Sequence, residues 1–162
     1  MKKIILLLCV LLVPVAVTSQ SKKAKKTAKK IDVFVNVDNF KSISVVDNTN
    51  SGLESSINRN LIRYGFETIS SRVAKRRLAQ IEFDRNEVNL NGSEITFKSS
   101  YVMVISDARG NIFELLSASI EIIDLFSGKV IGGASYRATI GGRSADVLGE
   151  AFVIALKKNL NK

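Results

Sequence analysis

The chain's single cysteine, Cys9, sits inside an apolar run at the N-terminus, so nothing beyond it can be tied by a disulfide. Whatever follows must be held together by its own core. Residues 31–162, 132 in all, suffice for one domain that removes about two thirds of the unfolded chain's surface from water.

The N-terminal run has the order of a secretory signal. Lys2 and Lys3 come first, then 14 residues from Ile4 to Val17 that are almost all apolar, then Thr18, Ser19 and Gln20. A membrane-crossing helix needs roughly 18 to 20 such residues, so a cleaved signal over 1–19 is expected rather than an anchor. Val17 and Ser19 supply the small residues at positions −3 and −1 of the cleavage site. Cys9 lies in the middle of the run behind three leucines, whereas a lipidation signal places a small residue just before a cysteine at the end of the run, so a lipoprotein is not expected. The expected compartment is periplasmic or extracellular.

The net charge of +9 is unevenly distributed. Eight of the 24 basic residues precede residue 31, which leaves 16 basic against 15 acidic in the rest of the chain. A basic face for nucleic acid is therefore not implied. Residues 20–30, QSKKAKKTAKK, carry six lysines and no large apolar side chain, and are expected to be a disordered leader. Its Lys22, Lys23, Lys25 and Lys26 are candidate contacts for anionic lipid or cell-wall polymer.

Along the domain, Ile31 to Phe40 alternates as a strand, with Ile31, Val33, Val35 and Val37 on one side. After the polar loop Asp47 to Asn50, Ser51 and Glu54 have capping-box spacing. Leu53, Ile57, Leu61 and Tyr64 then recur at helical spacing up to Gly65. Phe66 to Ser70 predicts a short strand and Ser71 to Ile81 a second helix, with Ala74, Leu78 and Ile81 inward. Arg72, Lys75 and Arg76 share the outward side of that helix as a candidate contact for an acidic partner, with Arg77 beside them. Asn91-Gly92 marks a short hairpin. Tyr101 to Ser106 is apolar on both faces, as a central strand is. Phe113 to Phe126 predicts a strand with Leu116, Ala118, Ile120 and Ile122 inward, paired through Ser127-Gly128 with Lys129 to Ile140. Gly132 and Gly133 signal a bulge or a close backbone approach. Ser144 begins a closing helix whose inward stripe is Leu148, Ala151, Phe152, Ala155 and Leu156. The expected class is α+β, an α/β sandwich: one mixed sheet of about five strands with three helices packed on it.

Chemistry is sparse. There is no histidine for general-base work and no thiol beyond Cys9, so neither an enzyme nor a cofactor is expected. Gly132 to Tyr136 does not follow the serine-hydrolase pattern, and the S-x-x-K of Ser19 to Lys22 straddles the cleavage region. The stretch from Asp47 imitates the first half of a calcium loop, but its twelfth position is Asn58. Ser127-Gly128-Lys129 lacks the upstream glycine of a phosphate loop. Two alternatives stay open: a hydrolase using only carboxylates among Asp107, Glu114, Glu121 and Asp124, and a small-ligand carrier built around Gly132, Gly133, Ala134 and Ala138.

Four segments, Ile31 to Val35, Leu61 to Arg72, Tyr101 to Ser106 and Ser117 to Val130, follow in an order that resembles a group of bacterial envelope domains. These are the curli secretion lipoprotein, the lipoprotein activator of penicillin-binding proteins, and the N-terminal domain of the Tol-system translocation protein. The resemblance implies a non-enzymatic periplasmic module that docks onto larger assemblies, sometimes as rings. The chain departs from that group in having no lipidation cysteine and in the shortness of its Asn91-Gly92 hairpin, which cannot cross a membrane. The expected function is thus an exported interaction or assembly domain whose partners are envelope proteins or further copies of itself.

Overall fold

The computed structural model describes residues 21–37, 41–84, 97–111 and 113–160, so the expected signal peptide and the Asn91-Gly92 hairpin lie outside the described residues. Five strands are β1 (Asp32–Val35), β2 (Ser42–Asp47), β3 (Ser100–Gly110), β4 (Leu115–Asp124) and β5 (Val130–Arg137). They form one sheet in the order β1-β5-β4-β3-β2, in which only β2 and β3 run parallel. Helices α1 (21–28), α2 (Leu53–Arg63), α3 (Ser71–Asp84) and α4 (Ala145–Leu160) pack on it. The α+β class with a mixed five-stranded sheet is as expected, with one helix more.

That extra helix, α1, occupies the segment expected to be disordered. Lysines surround its small residues, but Ala24, Thr27 and Ala28 fall at i, i+3 and i+4, with Ile31 at i+7. Ala24 and Ile31 belong to the main core and Thr27 is buried, so the lysines are left on the opposite side. An apolar stripe of alanines suffices because the helix needs only to lie on a finished core, not to build one.

The main core lies between one sheet face and α1, α2 and α4. Ile43, Val45, Met103, Ile105, Ile120 and Ile122 face Leu53, Ile57, Leu61, Leu148, Phe152 and Leu156. Each such side chain contributes about 1.5–3 kcal/mol on burial. Helix α2 ends as expected at Gly65 (φ 83°), where the Phe66 and Gly65 amides donate back to Leu61 and Ile62 carbonyls. Its start differs from a capping box. Glu54 accepts from the Asp47 amide (3.1 Å), while Ser51 Oγ accepts from the Leu53 amide (3.3 Å). Gly149 lets α2 and α4 approach closely, since a Cβ there would lie 2.7 Å from Ser56 Cβ.

A smaller core on the other face joins α3 to β2 and β3 through Ala74, Val46, Val102, Val104 and Leu125. Strand β2 is buried on both faces, which erases the alternation that would have marked it in the sequence. The segment expected as a strand at Phe66 to Ser70 makes only one bridge, Thr68 to Ile43, along the outer edge of β2. In β4 the inward position expected for Leu116 is taken by Leu115. Arg109 pairs with Ser117 but Gly110 with Leu115, so Leu116 is an extra residue that bulges outward.

Candidate functional site

The charged residues singled out from the sequence do not converge. Lys22, Lys23, Lys25 and Lys26 stand exposed on α1, on the main-core side of the sheet, whereas Arg72, Lys75 and Arg76 stand exposed on α3, on the other side. Arg77 leaves that cluster altogether and is only 3% exposed. Its guanidinium donates to the Leu125 carbonyl (2.9 Å) and the Phe126 carbonyl (3.3 Å), and lies 5.4 Å from the centre of the Phe97 ring. It ties α3 to the β4–β5 connection.

Two surfaces stand out from the rest. The first is the end of the domain beside α1. In the β3–β4 turn the Asn111 side-chain carbonyl accepts from the Phe113 and Glu114 amides (2.8 Å each). Leu115 and Arg143 exchange backbone hydrogen bonds (2.7 and 2.9 Å), which ties this turn to the segment entering α4. Glu114 Oε2 accepts from the Gly142 amide (3.2 Å), and Arg143 Nε donates to Thr27 Oγ1 (3.3 Å), which draws in α1. A surface cleft of about 420 Å³ results, lined among others by Lys23, Lys26, Phe113, Glu114 and Arg143. Phe113, Leu116 and Ile140 are left outward, 75%, 51% and 89% exposed.

The second surface is the half of the sheet that α3 does not reach. Register places Phe34, Gly133 and Glu121 in one row and Asp32, Ser135 and Ser119 in the next. Phe34 is 68% exposed, with its ring edge 3.2 Å from where a Gly133 Cβ would stand. Gly132 has the close approach expected of it, because a Cβ there would stand 2.5 Å from the Phe34 carbonyl oxygen. The small residues on β5 are thus spent on seating β1, and the cleft near α1 and another of about 440 Å³ beside Tyr64 and Lys157 are lined by other residues.

The carboxylates have local work. Asp124 accepts from the Phe126 amide (3.0 Å), the Ser127 amide (3.4 Å) and the Ser127 hydroxyl (2.6 Å), fixing the β4–β5 turn. Asp107 pairs with Arg109 (3.2 Å). In the loop that imitates a calcium site, Asp47 turns onto its own chain and accepts from the amides and hydroxyls of Thr49 and Ser51. Burial pushes its pKa up, but these four bonds outweigh burial and hold it below the ordinary 3.8. A carboxylate that the sequence did not mark is buried: Glu150 accepts from the Tyr64 hydroxyl (3.1 Å), with Arg63 at 3.8 Å. Burial, then the bond to Glu150 and its charge, raises the Tyr64 pKa. Lys157 Nζ donates to the Tyr64 carbonyl (2.8 Å), so this group joins the ends of α2 and α4. Among the described residues no helix is long and apolar enough to cross a membrane.

The fold and its surfaces thus define a single α+β domain with several large apolar side chains turned outward. No protein-family model matches the chain, and no curated protein sequence matches it. Among solved structures the chain is similar to the PelC dodecamer from Paraburkholderia phytofirmans, at 16% identity and a TM-score of 0.40, over 80% of this chain and 96% of that one. It is also similar to a single-substitution variant of that dodecamer, at 16% identity and a TM-score of 0.39, over 77% of this chain and 94% of the other.

Proposed function

We propose that this chain is an exported, non-catalytic domain of the bacterial cell envelope that works by docking protein partners, free of a lipid anchor. The observation that carries the reading is Phe34, a large aromatic held outward at 68% exposure on the uncovered half of the sheet, beside the edge of β1. Burying that ring in a partner would contribute about as much as a core phenylalanine, and aromatic side chains are enriched where interfaces are tightest. Asp32, Ser119, Ser135, Glu121 and Arg137 around it supply a polar rim. The signal-like leader supports export, and the resemblance to envelope docking modules supports the same role.

Crosslinking in the native cell followed by mass spectrometry tests this. The wild-type chain is expected to carry a defined envelope protein, or a second copy of itself, and Phe34→Ala to lose most of that adduct while keeping its fold. A wild-type chain without any adduct and of monomeric hydrodynamic size would overturn the reading.

A further inference from the structure

We infer that the end of the domain formed by α1, the β3–β4 turn and the segment entering α4 docks on an anionic phospholipid bilayer; this rests on the chain's acting in the envelope. Isolated apolar side chains on a surface are ordinary. Here Phe113, Leu116 and Ile140 project from segments that are bonded to one another: Leu115 pairs with Arg143, and the Ala138 amide donates to the Leu116 carbonyl (2.7 Å). Six of the backbone amides around them are already satisfied. Those of Phe113, Glu114, Leu115, Ala138, Gly142 and Arg143 all have partners within the domain. Such a tip enters a less polar medium without leaving those donors unpaired, which is the main cost of inserting irregular backbone.

Charge names the medium. Because Ala24 and Thr27 face the core, all six lysines of α1 and the turn after it stay in solvent, and Lys23 and Lys26 line the same cleft as Phe113 and Arg143. The acidic group in that cleft, Glu114, is held by the Gly142 amide. Cations beside protruding apolar side chains are the pairing by which proteins lie on anionic bilayers, the former meeting headgroups and the latter the acyl boundary.

The test is flotation of the exported chain with vesicles of phosphatidylethanolamine and phosphatidylglycerol, against vesicles of phosphatidylcholine alone. Binding to the anionic vesicles is expected at least about tenfold stronger, and is expected to weaken as salt rises. Replacing Lys22, Lys23, Lys25 and Lys26 by Gln, or Phe113, Leu116 and Ile140 by Ser, is expected to lower it about tenfold or more with the unfolding midpoint kept within the range of surface substitutions. Ile140→Cys carrying a spin label gives a second readout, since Cys9 is the chain's only other cysteine. On vesicles the label is expected to become accessible to oxygen and shielded from a water-soluble relaxant. Equal binding to both vesicle types, an unchanged triple serine variant, or a label that stays in water would overturn the inference. So would self-association lost in the same variants without any vesicle binding, which would assign this end to a second copy. If vesicle binding fails while crosslinks from the Phe34 face persist, only this inference falls.

Discussion

Arg77 is the residue whose role changes most between sequence and structure, and its removal has a magnitude that can be worked out. It is buried with no carboxylate beside it among its described partners: two carbonyls at 2.9 and 3.3 Å and the Phe97 ring at 5.4 Å hold the charge. Hydrogen bonds to a charged group are worth about 1.5–3 kcal/mol, and the ring adds about 1 more. Against these stands the desolvation of the guanidinium, several kcal/mol in itself. Truncation removes both sides of that balance but leaves the Leu125 and Phe126 carbonyls short of a donor and opens a void. Arg77→Ala is therefore expected to cost about 2–4 kcal/mol. Arg77→Met, which refills the volume without a charge to desolvate, is expected to cost about half as much. Arg77→Lys keeps the charge as a more strongly hydrated point and loses the fork, so it is expected to be no better than Met. Urea unfolding reads this as a lower midpoint, about 1–2 M for the alanine variant, with the slope unchanged. Arg72→Ala, Lys75→Ala and Arg76→Ala are expected to stay within about 0.5 kcal/mol of the wild type. An alanine variant at position 77 as stable as these three would refute the assignment.

Other expectations follow from particular contacts. Gly149→Ala gains about 1 kcal/mol of helix propensity, yet is expected to destabilise by about 1–3 kcal/mol because its Cβ meets Ser56. Adding Ser56→Gly to it is expected to raise the urea midpoint instead of lowering it, and a further loss would contradict the contact. Ser44 Oγ is buried without a hydrogen-bond partner among the described residues, so Ser44→Ala is expected to raise stability by about 1 kcal/mol in the same assay. Because hydrogen bonds hold the folded Asp47 below 3.8, its contribution is present above that pH and is lost as pH falls through the folded value. Asp47→Asn should be less stable at neutral pH and should flatten the midpoint's fall below about pH 4. Tyr64 has the opposite sign: its raised pKa gives stability that is full below pH 10.0 and lost as pH climbs through the folded value, so Tyr64→Phe should flatten the alkaline limb.

Most elements were legible because their patterns are local. Leu53 to Gly65, the alternation through Ala118, Ile120 and Ile122, and the stripe from Leu148 to Leu156 each encode period and stop within a dozen residues. Three features were not, each for a physical reason. Helix α1 was hidden by its lysines, since the signal was Ala24, Thr27 and Ala28 at helical spacing, and small residues score as non-core unless a ready-made core lies beneath them. Strand β2 was hidden by burial on both faces, and the position of Leu116 by a bulge that depends on pairing with Gly110. For the candidate surfaces, the cations of α1 were legible in the sequence but their neighbours were not. Phe113 comes beside α1 through the Leu115–Arg143 and Arg143–Thr27 contacts, and Ile140 lies in the segment that Ala138 and Arg143 bond to Leu116 and Leu115, contacts that join parts of the chain far apart. The presence of Phe34 on the far side of β1 followed from alternation, but its exposure follows from the reach of α3.

The most direct measurement is photo-crosslinking in living cells from a reactive residue placed at position 34, compared with one at position 55 on the exposed side of α2. Position 34 is expected to yield a discrete adduct with one envelope protein or a second copy of the chain, in the fraction released from the envelope, and position 55 none. Adducts from neither position, or an intact chain with its leader uncut in the cytoplasm, would contradict the account.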